Sequence, residues 1–404
     1  MKPKYIVIII VSILSFALVL GIVLKNNDVP GTTDILAGDT NTTPSHIDKV
    51  PDGYIGIYTP EDLQNVSKNM NANYILMNDL DLSGFELVPY VGSYTGTFNG
   101  NKYTIRNFNS HTPVFPYISD ATIKNLFFEN ATINRLKDYD GITFSGNETV
   151  GGIVGQVAFG SGVCVIENCK YSGSIILPGG SIHDDYNHSK VGGIIGLLRG
   201  DDSYVIGCTF DGKIEVVGGY IKDMGGIAGV AFEESSKIQN CFSTGKIMSD
   251  NKAGSVGGIC GSVYMVNIYD CYSSIDISVN DCNDVGGIIG GSSESDVRFA
   301  YYKGNIEYRA LYTGLPTGWA EREEDTDREA GAVVGYVDRE STVQYCYFLE
   351  NTYPAVGNGT PFANVSALSK EDMLKQTSYY GFDFDFTWGM GNKDYPYPIL
   401  LNNY

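Results

Sequence analysis

VGGIVG at 150–155, VGGIIG at 191–196, MGGIAG at 224–229, VGGICG at 256–261, VGGIIG at 285–290 and a weaker AGAVVG at 330–335 are one phrase written six times. Successive copies start 41, 33, 32, 29 and 45 residues apart, the range of one supersecondary unit per repeat with loops of variable length. A second phrase follows each copy: IENCKYSGSI around Cys169, VIGCTFDGKI around Cys208, IQNCFSTGKI around Cys241, IYDCYSSIDI around Cys271, VRFAYYKGNI around Ala300 and VQYCYFLE around Cys346. The whole unit repeats, not its glycines alone.

Each unit holds two or three apolar or alternating stretches of strand length between glycine and small polar turns, with no 3.6-residue period. The glycines of the phrase (Gly152, Gly155, Gly193, Gly196, Gly226, Gly229, Gly258, Gly261, Gly287 and Gly290) stand where a sharp corner or a close backbone approach excludes a side chain. Units stacked at ~4.8 Å pair every backbone group with the coils above and below, and the isoleucines fill the interior. The expected fold is all-β, a right-handed parallel β-helix with short helical caps. A propeller needs four strands in ~40 to 50 residues, and spacings of 29 and 32 leave too little chain. In such a stack Cys169, Cys208, Cys241 and Cys271 form an inward column. Parallel neighbours sit ~4.8 Å apart, beyond disulfide reach, so free core thiols are expected; Cys164, Cys260, Cys282 and Cys346 are less determined.

The Gly-Ile-apolar-Gly core followed by Asn-Cys-aromatic-x-x-Gly resembles the GLUG-motif proteins, bacterial secreted and surface proteins. YIGIYTPEDLQNVSKNMNANYILMNDLDLSG at 54–84 with GTFNGNKYTIRNF at 96–108 looks like the family's usual opening, and DMLKQTSYYGFDFDFTW at 372–388 with YPYPILL like its usual close. The resemblance covers residues 54–401. It implies architecture more than activity, because the family includes adhesin-like proteins and regions attached to immunoglobulin-cleaving metallopeptidases. At the two ends, Thr59-Pro60-Glu61-Asp62 reads as a helix start with Leu63, Val66 and Met70 on one face, and Ser369 as the cap of a short helix with Met373 and Leu374 inward.

Lys2 and Lys4 precede an apolar run from Tyr5 to Leu24, long enough to cross a ~30 Å hydrocarbon core, so residues 1–25 are expected to be an uncleaved transmembrane signal anchor with the remainder outside. The alternative is a cleaved signal and a secreted chain. Residues 26–50 read as a flexible linker, 51–149 as the N-terminal cap and first coils, 150–350 as the repeats and 351–404 as the C-terminal cap. A net charge of -20 repels phosphate backbones and excludes nucleic acid as a partner.

Catalytic motifs are absent. No H-E-x-x-H occurs, so the family's link to metallopeptidases carries no catalytic centre onto this chain, and no G-x-S-x-G or phosphate-binding glycine loop is present. Two insertions interrupt the repeats. LPGGSIHDDYNHSK at 177–190 gathers His183, Asp184, Asp185, Tyr186 and His188, which suit ligand contacts, with a carboxylate pair or a loop metal as lesser options. The second, from Glu307 to Glu329, carries Trp319, a stacking platform for sugar or an anchor for protein, and an acid run from Glu321 to Asp327 that reads as solvated surface, with weak calcium binding as the other option. The expected function is therefore that of a non-enzymatic, membrane-tethered surface protein, adhesin-like, engaging glycan or protein through these loops and exposed tyrosines, without a cofactor. A polysaccharide-degrading β-helix enzyme, marked by carboxylates converging across coils, and a non-catalytic spacer are the alternatives.

Overall fold

The computed structural model of the protein describes residues 46–136, 149–179, 189–250, 253–309, 330–351, 353–359 and 362–401. Successive coils stack in parallel to build three sheets of 19, 6 and 9 strands. On the long face Lys170–Pro178 lies on Thr209–Val217, which lies on Phe242–Ser249 and then on Asn267–Asn280. The short face stacks Thr149–Gly151, Lys190–Gly192, Ile221–Gly225, Ala253–Gly257, Cys282–Gly286 and Ala330–Gly331. The third face runs from Ser93–Tyr94 to Val356–Gly359. The expected transmembrane helix within 1–25 lies outside the described residues, and among those residues no helix is long and apolar enough to cross a membrane.

The glycine phrase forms the turn between the short and third faces. Ile153, Ile194, Ile227, Ile259, Ile288 and Val333 stack on its inner side with no exposed surface, each burial being worth roughly 1.5–3 kcal/mol. The second glycine of the first five phrases abuts the next coil, and Ala332 takes its place in the sixth: a Cβ on Gly193 would lie 2.1 Å from the Gly226 carbonyl oxygen and 2.3 Å from the Phe210 ring.

The cysteine phrase makes the opposite corner. The residue before each cysteine position takes the left-handed conformation in eight stacked coils: Asn125, Asn168, Gly207, Asn240, Asp270, Phe299, Tyr345 and Asn364, with φ between 50° and 65°. Asn, Asp and Gly are the residues that tolerate it, which accounts for the Asn-Cys pairing in the sequence. Behind this corner Cys169, Cys208, Cys241 and Cys271 point inward and Ala300 and Cys346 extend the column; all eight cysteines are free and buried.

Near the start, Pro60–Asn65 is a helix closed by a capping box: the Asp62 amide donates to Thr59 Oγ1 at 3.2 Å and the Thr59 amide to Asp62 Oδ2 at 3.1 Å. Leu63 and Val66 are fully buried beneath it. At the other end the Asp372 amide donates to Ser369 Oγ at 3.1 Å and Met373 is buried, but Leu374, expected inward, is 45% exposed because the turn is a single 3₁₀ one.

The tail after Ser369 packs along the side of the solenoid. Met373, Tyr379, Phe382, Trp388 and Leu400 form a second core with Tyr272, Tyr301 and Tyr347, the outward residues that follow the cysteine position in three successive coils. Tyr272 stacks on Phe242 at 4.8 Å and on Tyr301 at 4.9 Å, rings within 2° of parallel. These tyrosines are thus withdrawn from the exposed set expected to meet a ligand. The last coil strand, Phe362–Leu368, keeps Ala363, Asn364, Ser366 and Ala367 exposed, so the tail clamps the flank and leaves the terminal strand uncovered at these residues.

Candidate functional site

His183, Asp184, Asp185, Tyr186, His188 and Trp319 lie outside the described residues. The roots of their loops are placed. The first leaves the long face after Pro178 and rejoins the short face at Lys190; the second leaves after Arg309 and rejoins at Ala330. The segment between Asn134 and Thr149 spans the same two faces, and strand stacking brings all three departures to one corner of the solenoid. Insertions in a solenoid gather on a face in this way because only the turns can lengthen without breaking the ladder.

The short face next to that corner carries a polar cluster. The residue immediately before each of the first five glycine phrases falls in one column, Thr149, Lys190, Asp223, Ser255 and Asp284, while Ser262 and Gly291 stack in a column of the adjoining third face. Ser262 donates to Asp223 Oδ1 at 2.5 Å and Ser255 donates to Asp284 Oδ2 at 3.2 Å. Gly291 makes room between them: a Cβ there would lie 3.4 Å from Ser255 Oγ, 3.6 Å from Asp284 Oδ2 and 3.8 Å from Ser262 Oγ. Asp223 is only 3% exposed, and burial raises its pKa against the lowering pull of the Ser262 hydroxyl and of Lys222 and Lys190. Burial correspondingly lowers Lys190, with Asp223 opposing.

Asp223 and Asp284 stand two coils apart, ~9.6 Å along the stack, at the outer edge of the separations used by an acid and base pair acting on a glycosidic bond. Asp223 is almost wholly withdrawn from solvent at 3% exposure, and its hydrogen bond to Ser262 ties the short face to the third face. Among the described residues no group of three or more His, Cys, Asp or Glu could hold a metal ion. Sequence reading passed over this column, although its signal was present: aligning the phrases puts Lys190, Asp223 and Asp284 at one shared position.

The raised pKa of Asp223 has a sign that can be tested. Its folded value lies above the unfolded one, ~3.9, so its contribution favours the fold below that pH and is lost as pH rises through the folded value. Asp223→Asn is therefore expected to melt higher than the parent at pH 7, with the difference shrinking toward pH 4. Melting curves from pH 4 to 7.5 decide; a variant less stable than the parent at pH 7 contradicts the assignment.

No protein-family profile matches the chain. Over 230 residues, half of the chain, it is 26% identical to the immunoglobulin A1 protease of Streptococcus sanguinis. Over 239 residues, 55% of the chain, it is 25% identical to the zinc metalloprotease ZmpC of Streptococcus pneumoniae serotype 4. Each match spans 12% of the relative's own length. A solved structure of a Bacteroides ovatus protein, provisionally named an immunoglobulin A1 protease, superposes over 86% of this chain and 91% of its own with a TM-score of 0.51 at 20% identity, a likeness of fold. These matches correct the expectation of a non-enzymatic protein. That expectation rested on missing motifs alone, whereas half of the chain or more aligns with proteins named as proteases.

Proposed function

We propose that this chain serves proteolysis at the cell exterior, as a rigid β-helix that engages a protein substrate through the corner where its insertions are rooted. The observation that supports this is the pair of alignments with proteins named as proteases, each limited to an eighth or so of the relative, which agrees with a shared region that serves as one module beside a cleaving one. The gathering of the insertions at one corner agrees with it, because a substrate-engaging module needs its variable loops on one side of a stiff support. The GLUG-type resemblance belongs to the same reading, a repeat solenoid at the cell exterior with its insertions rooted at one corner.

Immunoglobulin A1 is the first substrate to test, since the named relatives supply it. The full chain is incubated with the purified immunoglobulin, with and without added zinc, and both complex formation by gel filtration and fragment formation by mass spectrometry are followed. The reading expects a complex that is weakened by Trp319→Ala together with Tyr186→Ala. Absence of both complex and fragments removes this substrate and the reading with it.

A further inference from the structure

A cleft of about 440 Å³ opens between the loop at residues 82–89 and the first coils, in the range of small-molecule sites. Its lining is of two kinds. Leu82, Phe85, Leu87 and Pro89 supply the apolar part of the lining, and Asn107, Asn109, Ser110, His111 and Asn134 the polar part.

The cleft is preformed. The loop is pinned by the Leu82 amide donating to the Arg106 carbonyl at 2.9 Å and by Gln64, whose Oε1 accepts from the Val88 amide at 2.7 Å. Leu87 is buried and Phe85 packs against the core. Among the polar residues, Asn107 donates to Asp81 Oδ1 at 2.8 Å and to Ser83 Oγ at 2.9 Å, and His111 Nδ1 lies 2.7 Å from the Asn134 carbonyl oxygen. Asn109 and Glu86 remain exposed at the rim. Binding into such a site loses little to ordering the protein.

We propose that this cleft binds a neutral saccharide, a hexose or N-acetylhexosamine unit. A pyranose ring has an apolar C–H face and a rim of hydroxyls, which match the apolar and the polar parts of the lining respectively. Asn109, exposed at the rim, carries the polar recognition, because an amide donates and accepts side by side, whereas the Asn107 amide is already taken up by Asp81, Ser83 and Asn130. Neutrality follows from charge: the molecule carries -20, and Glu86 stands at a cleft that no Lys or Arg lines, so uronic, sialic and phosphorylated sugars are repelled. The cleft lies at the first-coil end of the insertion corner, where Asn134 ends its strand, about five coils from Arg309, where the Trp319 insertion leaves; the proposal goes beyond the protein-engaging reading, and either can fail without the other.

The test is a glycan array of neutral and acidic oligosaccharides probed with the full chain, followed by calorimetric titration with the best neutral ligand. The expected result is selective retention of neutral hexose or N-acetylhexosamine glycans, reduced at least tenfold in Asn109→Ala and in Phe85→Ala and unchanged in Trp319→Ala. Asn109 is exposed, so its variant keeps the parent melting temperature and decides the matter even if Phe85→Ala is less stable. No neutral glycan retained, acidic glycans preferred, or binding undiminished in Asn109→Ala overturns the proposal.

Discussion

Trp388→Ala is expected to detach the C-terminal tail from the solenoid at a cost of about 3–5 kcal/mol. The indole is fully buried, with its ring centroid 4.6 Å from Phe382, 6.0 Å from Tyr301 and 6.1 Å from Tyr272. Its Nε1 donates to Asp270 Oδ1 at 3.0 Å, and Asp270 is a carboxylate whose pKa burial already raises. Truncation leaves a cavity beside a charge that has lost its strongest donor, and the two losses act together. Beyond the energy there is a change of surface, because release of the tail uncovers the Phe242–Tyr272–Tyr301 stack, an apolar strip suited to association. Limited proteolysis in a denaturant series should cut the variant between 369 and 401 while the coils stay intact, and light scattering should rise at the same concentrations. A variant within about 0.5 kcal/mol of the parent would show that the tail does not depend on this residue.

Gly226→Ala should prevent folding or cost more than the ~3 kcal/mol typical of an overpacked core. The added Cβ would lie 2.1 Å from the Gly258 carbonyl oxygen and 2.7 Å from both Ser243 Cβ and Ile275 Cδ1. A flexible side chain could step aside, but this carbonyl belongs to the next coil and moves only if the stack opens. Gly291→Ala is the matched control: its nearest atoms are 3.4–3.8 Å away, ordinary contact, and a change within about 1 kcal/mol is expected. Soluble yield and melting temperature of the two variants separate the cases. Equal tolerance of both would mean that the coils are spaced more loosely than the geometry states.

Much of the solenoid was legible before any coordinate. The glycine phrase, the cysteine column and the left-handed corner all recur at one position per unit, and a stacked coil sets each residue on its equivalent in the next. The same alignment would have revealed the Lys190, Asp223, Ser255 and Asp284 column, had the position before each phrase been compared as the glycines were. At the corner the sequence departs from its own rule where Asn gives way to Phe299 and Tyr345, bulky residues that seldom adopt positive φ. Their rings stack at 5.4 Å, and Phe382 meets Phe299 edge-on at 6.4 Å, so contacts with each other and with the tail hold a conformation that neither residue favours alone.

What the sequence by itself determined is the periodic part: parallel coils, their spacing, the inward columns and the corners, because these follow from repetition and from short-range backbone sterics. Which outer faces are covered was decided only in three dimensions. The tyrosines after the cysteine position read as surface residues in each unit taken singly, and they become core because a segment that belongs to no repeat lies across several units at once. The Trp388–Asp270 hydrogen bond joins residues 118 apart in the chain, a separation that no period of the repeat encodes. Burial of Asp223 has the same origin, since it arises where two faces meet and not within either strand.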